Sequence, residues 1–225
     1  MSRASGILLH PTSLPGRFGI GDLGPEARRF ADFLAGTGQH LWQMLPLGPT
    51  DYDNSPYQCL SVFAGNPLLI SPERLAQENL LDPVELERIP AFPVQSVDYN
   101  AVADWKMPLL RRSFEIFTQR ATSAIRDEFQ EFCQKNSSWL EDYALFMALR
   151  EAHRLAVWNT WEDDVRKHHT DALGLWRSKL AHIVDCHKYQ QFQFFKQWAE
   201  LKQFCNERGI KLIGDIPIFV ALDST

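Results

Sequence analysis

Residues 5–47 hold two short apolar runs, Ser5 to His10 and Leu41 to Leu47, with one amphipathic helix pattern between them. This constrains the chain more than any other feature. Pro25 sits where a helix opens, Glu26 suits its first turn, and Ala27, Phe30, Ala31 and Leu34 form one apolar stripe. Gly36 and Gly38 then stop it. Strand, helix, strand is a crossover unit, and its two strands must run parallel because the connection is too long for a hairpin. A third run, Lys211 to Val220, has the same short, apolar character. The expected class is therefore α/β with a parallel sheet.

Between the second and third runs the pattern is helical. Ser71-Pro72-Glu73 and Asp82-Pro83-Val84-Glu85 both read as helix starts. A longer helix is expected from about Ala103 to Phe117, and another after Ser138, with Trp139, Tyr143, Phe146 and Met147 facing inward. A last one, Tyr189 to Arg208, turns Phe192, Phe195, Trp198 and Ala199 inward and ends at Gly209. The chain divides accordingly: residues 1–70 carry the first two strands and their loop, 71–185 a helical insertion, and 186–225 a helix and the third strand. A buried parallel strand without its covering helix leaves apolar surface bare, so the chain reads as part of a longer protein.

Composition excludes several roles. A net charge of −5 without a basic run argues against a nucleic-acid partner. The cysteines at 59, 133, 186 and 205 lack the paired spacing of a zinc site, and their scatter fits a reducing compartment. No apolar run approaches the roughly 18 residues of a membrane span, and the N-terminus has no signal-like stretch. A cytoplasmic protein without metal or cofactor is expected.

One loop and one carboxylate stand out. Gly48-Pro49-Thr50-Asp51-Tyr52-Asp53-Asn54-Ser55-Pro56-Tyr57-Gln58 sets turn-forming residues around two tyrosines. Rigid aromatics with hydroxyls among short polar side chains suit a ligand with apolar and hydroxylated faces, as a sugar has. An ordered surface loop with packed tyrosines accounts for the same residues. Asp215 lies in the third run just before Pro217, which marks a strand end. It would then face the mouth of the sheet, where α/β proteins place ligands, unless it simply caps a loop. His10 is placed alike and reads as a hydrogen-bonded structural histidine. Gly19-Ile20-Gly21-Asp22-Leu23-Gly24 matches the dinucleotide glycine pattern but does not directly follow a strand, and Trp42-Gln43-Met44 stands where an acidic residue would bind ribose. It reads as a shaped loop leading into the first helix.

Several segments, in order, resemble the 4-α-glucanotransferases of glycoside hydrolase family 77. They are Ser5 to Gly16, Gly19 to Gly24, Trp42 to Thr50, Ser55-Pro56-Tyr57-Gln58, Phe63-Ala64-Gly65-Asn66-Pro67, Trp139 to Phe146, and Gly214-Asp215-Ile216-Pro217-Ile218-Phe219-Val220. The resemblance implies an incomplete (β/α)8 TIM barrel, its first three strands, with a large helical insertion between the second and third. Such a barrel takes about 250 residues without insertions.

The resemblance also implies transfer of α-1,4-glucan segments between maltooligosaccharides by a retaining double displacement, whose carboxylate pair sits about 5–5.5 Å apart. It puts the nucleophile and acid/base beyond Thr225, so no catalytic residue is assigned here and this chain alone is expected to be inactive. What it carries over is substrate binding: Ser55, Tyr57 and Asp215 in the cleft, and Tyr52 at a second glucan site. The implied partners are maltooligosaccharides or starch-derived glucans and the remainder of the barrel. A non-catalytic glucan-binding module is the alternative.

Overall fold

Apolar strands stay in register only if their backbones pair and one face is covered, and both conditions are met here by sequence-distant segments. The computed structural model describes residues 3–50, 54–221 and 223–224. Its strands are β1 (Gly6–Leu8), β2 (Leu41–Gln43), β3 (Gln58–Cys59), β4 (Lys211–Ile213) and β5 (Phe219–Val220). A three-stranded parallel sheet runs β1-β2-β4, with Ile7 opposite Trp42 and Trp42 opposite Leu212. A separate two-stranded sheet pairs β3 with β5 in parallel, Gln58 opposite Phe219.

The apolar run Lys211 to Val220 is thus two strands in two sheets, not one. Residues 214–218 leave the ladder, where Pro217 has no N–H to donate and Ile216 and Ile218 are exposed. The second run is likewise shorter than its apolar pattern, ending at Gln43 just before the Pro46 and Pro49 turns.

The helices are α1 (Pro25–Gly36), α2 (Pro72–Gln77), α3 (Tyr99–Arg120), α4 (Ser123–Lys135), α5 (Ser137–Ala152), α6 (Asp163–Arg166), α7 (Thr170–Lys179) and α8 (Ala181–Glu207). Asp82 caps only a 3₁₀ turn, Pro83–Glu87, through the Val84 amide. One face of the main sheet, Ile7, Trp42 and Leu212, packs into a core with Ala27, Ala31 and Leu34 of α1 and Phe192, Leu201 and Cys205 of α8. Trp42 is fully buried, meets Phe30 edge-on at 4.8 Å, and donates its indole N–H to the Leu9 carbonyl at 2.8 Å. On the opposite face Leu8 is 54% and Ile213 40% exposed. Leu75 of α2 and Leu109, Leu110 and Phe114 of α3 join the sheet's core, whereas α5, α6 and α7 build a second cluster around Phe146, Trp161 and Val165.

Two glutamines of α8 tie the loop after β2 to this core. The side chain of Gln191 accepts from the Gly65 amide at 2.8 Å and donates to the Gly65 carbonyl at 2.9 Å. Gln197 repeats the pattern on Ser71, accepting at 2.7 Å and donating at 3.3 Å. Each amide replaces the strand that a buried peptide group would otherwise require. Gly65 has no room for a side chain, since a Cβ would lie 2.0 Å from the Phe194 ring. A second buried tie joins Asp22 to Lys106 at 3.3 Å, with the ammonium also donating to the Leu68 carbonyl at 2.6 Å. Desolvation pushes the Asp22 carboxyl up and the Lys106 ammonium down, each opposed by the other's charge.

Replacing Gln191 by Leu orphans the N–H and C=O of Gly65, at about 1–3 kcal/mol for each buried group. Gln191→Leu is therefore expected to lose about 2–6 kcal/mol of unfolding free energy in urea, followed by circular dichroism. A loss below about 0.5 kcal/mol, the ordinary scatter of surface substitutions, would show that the clamp carries no weight.

Candidate functional site

The site begins where β2 and β4 end. Beyond Gln43 the Met44 amide still reaches across to the Ile213 carbonyl at 2.9 Å, and then the two chains diverge. The loop after β2 doubles back through Pro46, Pro49 and Pro56 and closes on itself. Thr50 bridges Cys59, the Leu60 amide donates to the Pro49 carbonyl at 2.9 Å, and the Gln58 amide donates to the Ser55 carbonyl at 3.1 Å. Asn54 takes φ 52°, a left-handed conformation asparagine tolerates. From this turn β3 enters its ladder with β5, and the residue before β3 is Tyr57.

That pairing sets Tyr57 against Asp215, the residue two beyond the end of β4. The Tyr57 hydroxyl donates to Asp215 Oδ2 at 2.9 Å, and the Ile216 amide donates to Oδ1 at 2.9 Å. The hydrogen bond to the carboxylate, more than partial desolvation or charge, holds the Tyr57 phenol above its usual range. Asp215 is exposed just past the carboxyl end of β4, and Tyr57, half-buried, meets it from the loop that joins β2 to β3.

Beside Asp215 lies a hollow of about 260 Å³ walled by Met44, Phe63, Ala64, Phe195, Trp198 and Pro217. Phe63 is 61% exposed, with its ring stacked on Trp139 at 6.2 Å. An acceptor-rich carboxylate next to an apolar, aromatic wall matches the two faces of a pyranose ring. A second hollow of about 160 Å³ is lined by His10, Thr12, Asn54, Asn66 and Tyr99.

The residues singled out from sequence separate into groups. Tyr57 and Asp215 touch. Ser55 sits on the same turn, where its carbonyl fixes Gln58. Tyr52 lies outside the described residues. His10 is tied down: Nε2 meets the Pro46 carbonyl at 3.3 Å, and Nδ1 accepts from the Thr12 amide at 3.3 Å and lies 2.7 Å from its hydroxyl. Burial holds its pKa below the ordinary value against the Pro46 hydrogen bond, so the ring is neutral near pH 7. The glycine motif is a packing device. A Cβ on Gly21 would lie 2.1 Å from the Pro11 carbonyl, and Gly24 is the N-cap of α1.

The described residues also limit the chemistry. Burial pushes the thiols up, to about 12 for Cys186 and about 11 for Cys133 and Cys205, so they are poor nucleophiles. Among the described residues no group of three or more His, Cys, Asp or Glu could hold a metal ion, and no helix is long and apolar enough to cross a membrane. Sequence reading missed the β3–β5 ladder and the walls that α8 and Phe63 supply. Phe63 was legible within its matching segment; the two-residue strands carried no pattern.

Comparison with known proteins is decisive about kinship. A family model described as 4-alpha-glucanotransferase matches residues 9–225. The chain is 50% identical over 222 residues to a 4-alpha-glucanotransferase of Synechocystis sp., covering 99% of this chain and 44% of that protein. It is 49% identical over 224 residues to one from Thermus thermophilus, covering 100% of this chain and 44% of that protein. Among solved structures, an amylomaltase from Streptococcus agalactiae in complex with acarbose superposes with a TM-score of 0.94 at 37% identity, covering 99% of this chain and 45% of that one. The chain thus spans less than half the length of these relatives.

The Tyr57–Asp215 contact has a direct spectroscopic consequence. The raised phenol means this bond stabilises the folded chain below the ordinary tyrosine pKa and is lost as pH rises through the folded value. In an alkaline titration of ¹³Cζ-tyrosine-labelled protein, Tyr57 is expected to ionise above the ordinary phenol value of about 10. Asp215→Asn should return it towards that value. A Tyr57 midpoint unchanged by Asp215→Asn would show that the two side chains do not meet in solution.

Proposed function

This chain belongs to the 4-alpha-glucanotransferase family, and we propose that it forms the part of such an enzyme in which strand ends grip an α-1,4-glucan. The observation that carries this is the 2.9 Å contact of Tyr57, on the loop between β2 and β3, with Asp215 just past the carboxyl end of β4, beside an aromatic hollow. In this reading β1, β2 and β4 are the first three strands of a (β/α)8 barrel, and residues 71–185 are a helical insertion between the second and third. The segments described by residues 1–70 and 186–225 supply the strands, Ser55, Tyr57 and Asp215. Tyr52 belongs to a second glucan site, and the protein works in the cytoplasm.

The residues present fit binding rather than bond cleavage. Asp215 keeps Oδ2 within reach of sugar hydroxyls once Tyr57 yields or shares it, and a hydrogen bond to a charged group contributes about 1.5–3 kcal/mol. Tyr57 offers a phenol and a ring face. Glucan transfer also needs a nucleophile and an acid/base about 5–5.5 Å apart in a retaining site. The family resemblance assigns these to sequence outside residues 1–225, and the acarbose bound to the Streptococcus relative supports a maltooligosaccharide-shaped cleft. Transfer in place of hydrolysis requires an acceptor sugar to outcompete water, which an extended set of apolar and polar contacts favours.

Two measurements test this. Incubated with maltotriose, the chain is expected to release no glucose and build no longer maltodextrins, and turnover above a blank would refute the placement of the chemistry. Titrated with acarbose or maltoheptaose, it is expected to show a saturable change in tryptophan fluorescence. Asp215→Ala should weaken that binding by about 10-fold or more, the equivalent of losing one charged hydrogen bond. Equal affinities for the two proteins would remove Asp215 from the cleft.

A further inference from the structure

The Tyr57–Asp215 pair rests on slender supports. Asp215 belongs to residues 214–218, which have no regular structure, and the neighbouring Ile216 and Ile218 are 74% and 70% exposed. Tyr57 depends on β3, which among the described residues is held by two residues of parallel pairing with β5 and one antiparallel bridge from Cys59 to Thr50. Parallel pairing is slightly the weaker kind per residue, and a two-stranded ladder on its own is marginal in water. Something beyond the ladder must fix β5.

The segment after β5 supplies it. Ala221 is buried, and Asp223 is only 6% exposed although it carries a charge. Its Oδ2 accepts from Arg150 Nε at 3.1 Å and lies 3.0 Å from Arg150 Nη2, so two edges of the guanidinium fork converge on one carboxylate oxygen. Its Oδ1 accepts from the Trp158 amide at 3.0 Å. Arg150 stands in the last turn of α5 and Trp158 in the connection to α6, so one carboxylate bolts the segment after β5 onto the helical layer. The Ser224 amide and hydroxyl both donate to the Ala221 carbonyl, at 3.1 and 2.6 Å, and close the turn that aims Asp223.

We propose that Asp223 is a positioning residue for the Tyr57–Asp215 pair, anchoring β5, and through it β3, to Arg150 and the Trp158 backbone. Asp215 is held from one side by β4 in the main sheet and from the other by the β5 anchor, while Tyr57 rides on β3. Releasing Asp223 frees the register Gln58 opposite Phe219, and the two side chains part while the main sheet stays intact. The importance of this for sugar binding rests on the glucan reading above, but the contact itself can be followed without any sugar.

The test uses the whole chain labelled with ¹³Cζ-tyrosine, with Tyr57 assigned by Tyr57→Phe. Asp223→Asn is expected to lower the Tyr57 midpoint as Asp215→Asn does, while buried Tyr143 and Tyr189 keep their shielded behaviour. An unmoved Tyr57 in Asp223→Asn overturns the proposal, even if thermal stability falls, because a merely structural role would lower stability without touching that phenol. Should Asp223→Asn unfold the chain, Arg150→Lys, which keeps the charge and removes the fork, carries the same two outcomes. If Asp215→Asn itself leaves Tyr57 unmoved, there is no pair to position and the proposal falls. The glucan reading then stands or falls separately on the acarbose titration.

Discussion

Buried peptide groups need partners, and Gly65 and Ser71 are buried in a stretch that forms no strand of the main sheet. That requirement organises the molecule. Gln191 and Gln197, on one side of α8, supply strand-like hydrogen bonds to Gly65 and Ser71, and Glu200 of the same helix pairs with Arg74. One helix therefore covers the sheet with its apolar residues and holds the loop with its amides. The close approach explains why position 65 is glycine, with Phe194 pressed against it. It also fixes Phe63 and Ala64 as a wall of the hollow beside Asp215.

A second constraint works from the opposite side. Lys106 of α3 is wholly buried and meets both Asp22 and the Leu68 carbonyl. Removing one partner of such a pair costs about 3–5 kcal/mol, because the other charge stays buried. The pair locks the glycine-rich turn before α1, the 3₁₀ turn at Pro67–Leu69 and α3 into one unit. The segment from Phe63 to Ser71 is thus held between two buried polar ties, while the Phe63 ring stays exposed beside the hollow. A loop held this way is ordered by folding, so a ligand that met it would not bear the cost of ordering it.

Parts of this were plain from local pattern. The helix at α1 was bounded by Pro25 and Gly36 as expected, and the first two apolar runs and the start of the third do lie side by side in parallel. Asp215 was picked out because Pro217 marks a strand end, and the chain does leave the sheet there. Other features went unread because hydropathy sorts residues by type. Gln191, Gln193 and Gln197 count as polar and are buried, whereas Ala199 counts as apolar and is exposed. Helix α8 begins at Ala181 rather than Tyr189, since Val184, Cys186 and His187 extend the inner face. The Asp82 start yields only a 3₁₀ turn. Strands β3 and β5 are two residues each, too short for any periodicity to show.

By itself the sequence determined the class of fold and the family, because periodicity, turn chemistry and long matching segments are local properties. Tertiary structure alone decided which of those residues meet. The contact of Tyr57 with Asp215 spans residues far apart in the chain, and it exists because two short strands find each other and Arg150 holds Asp223 near their end. Long-range pairing of that kind depends on backbone geometry and on which buried groups lack partners, and neither is written in the identity of any single residue.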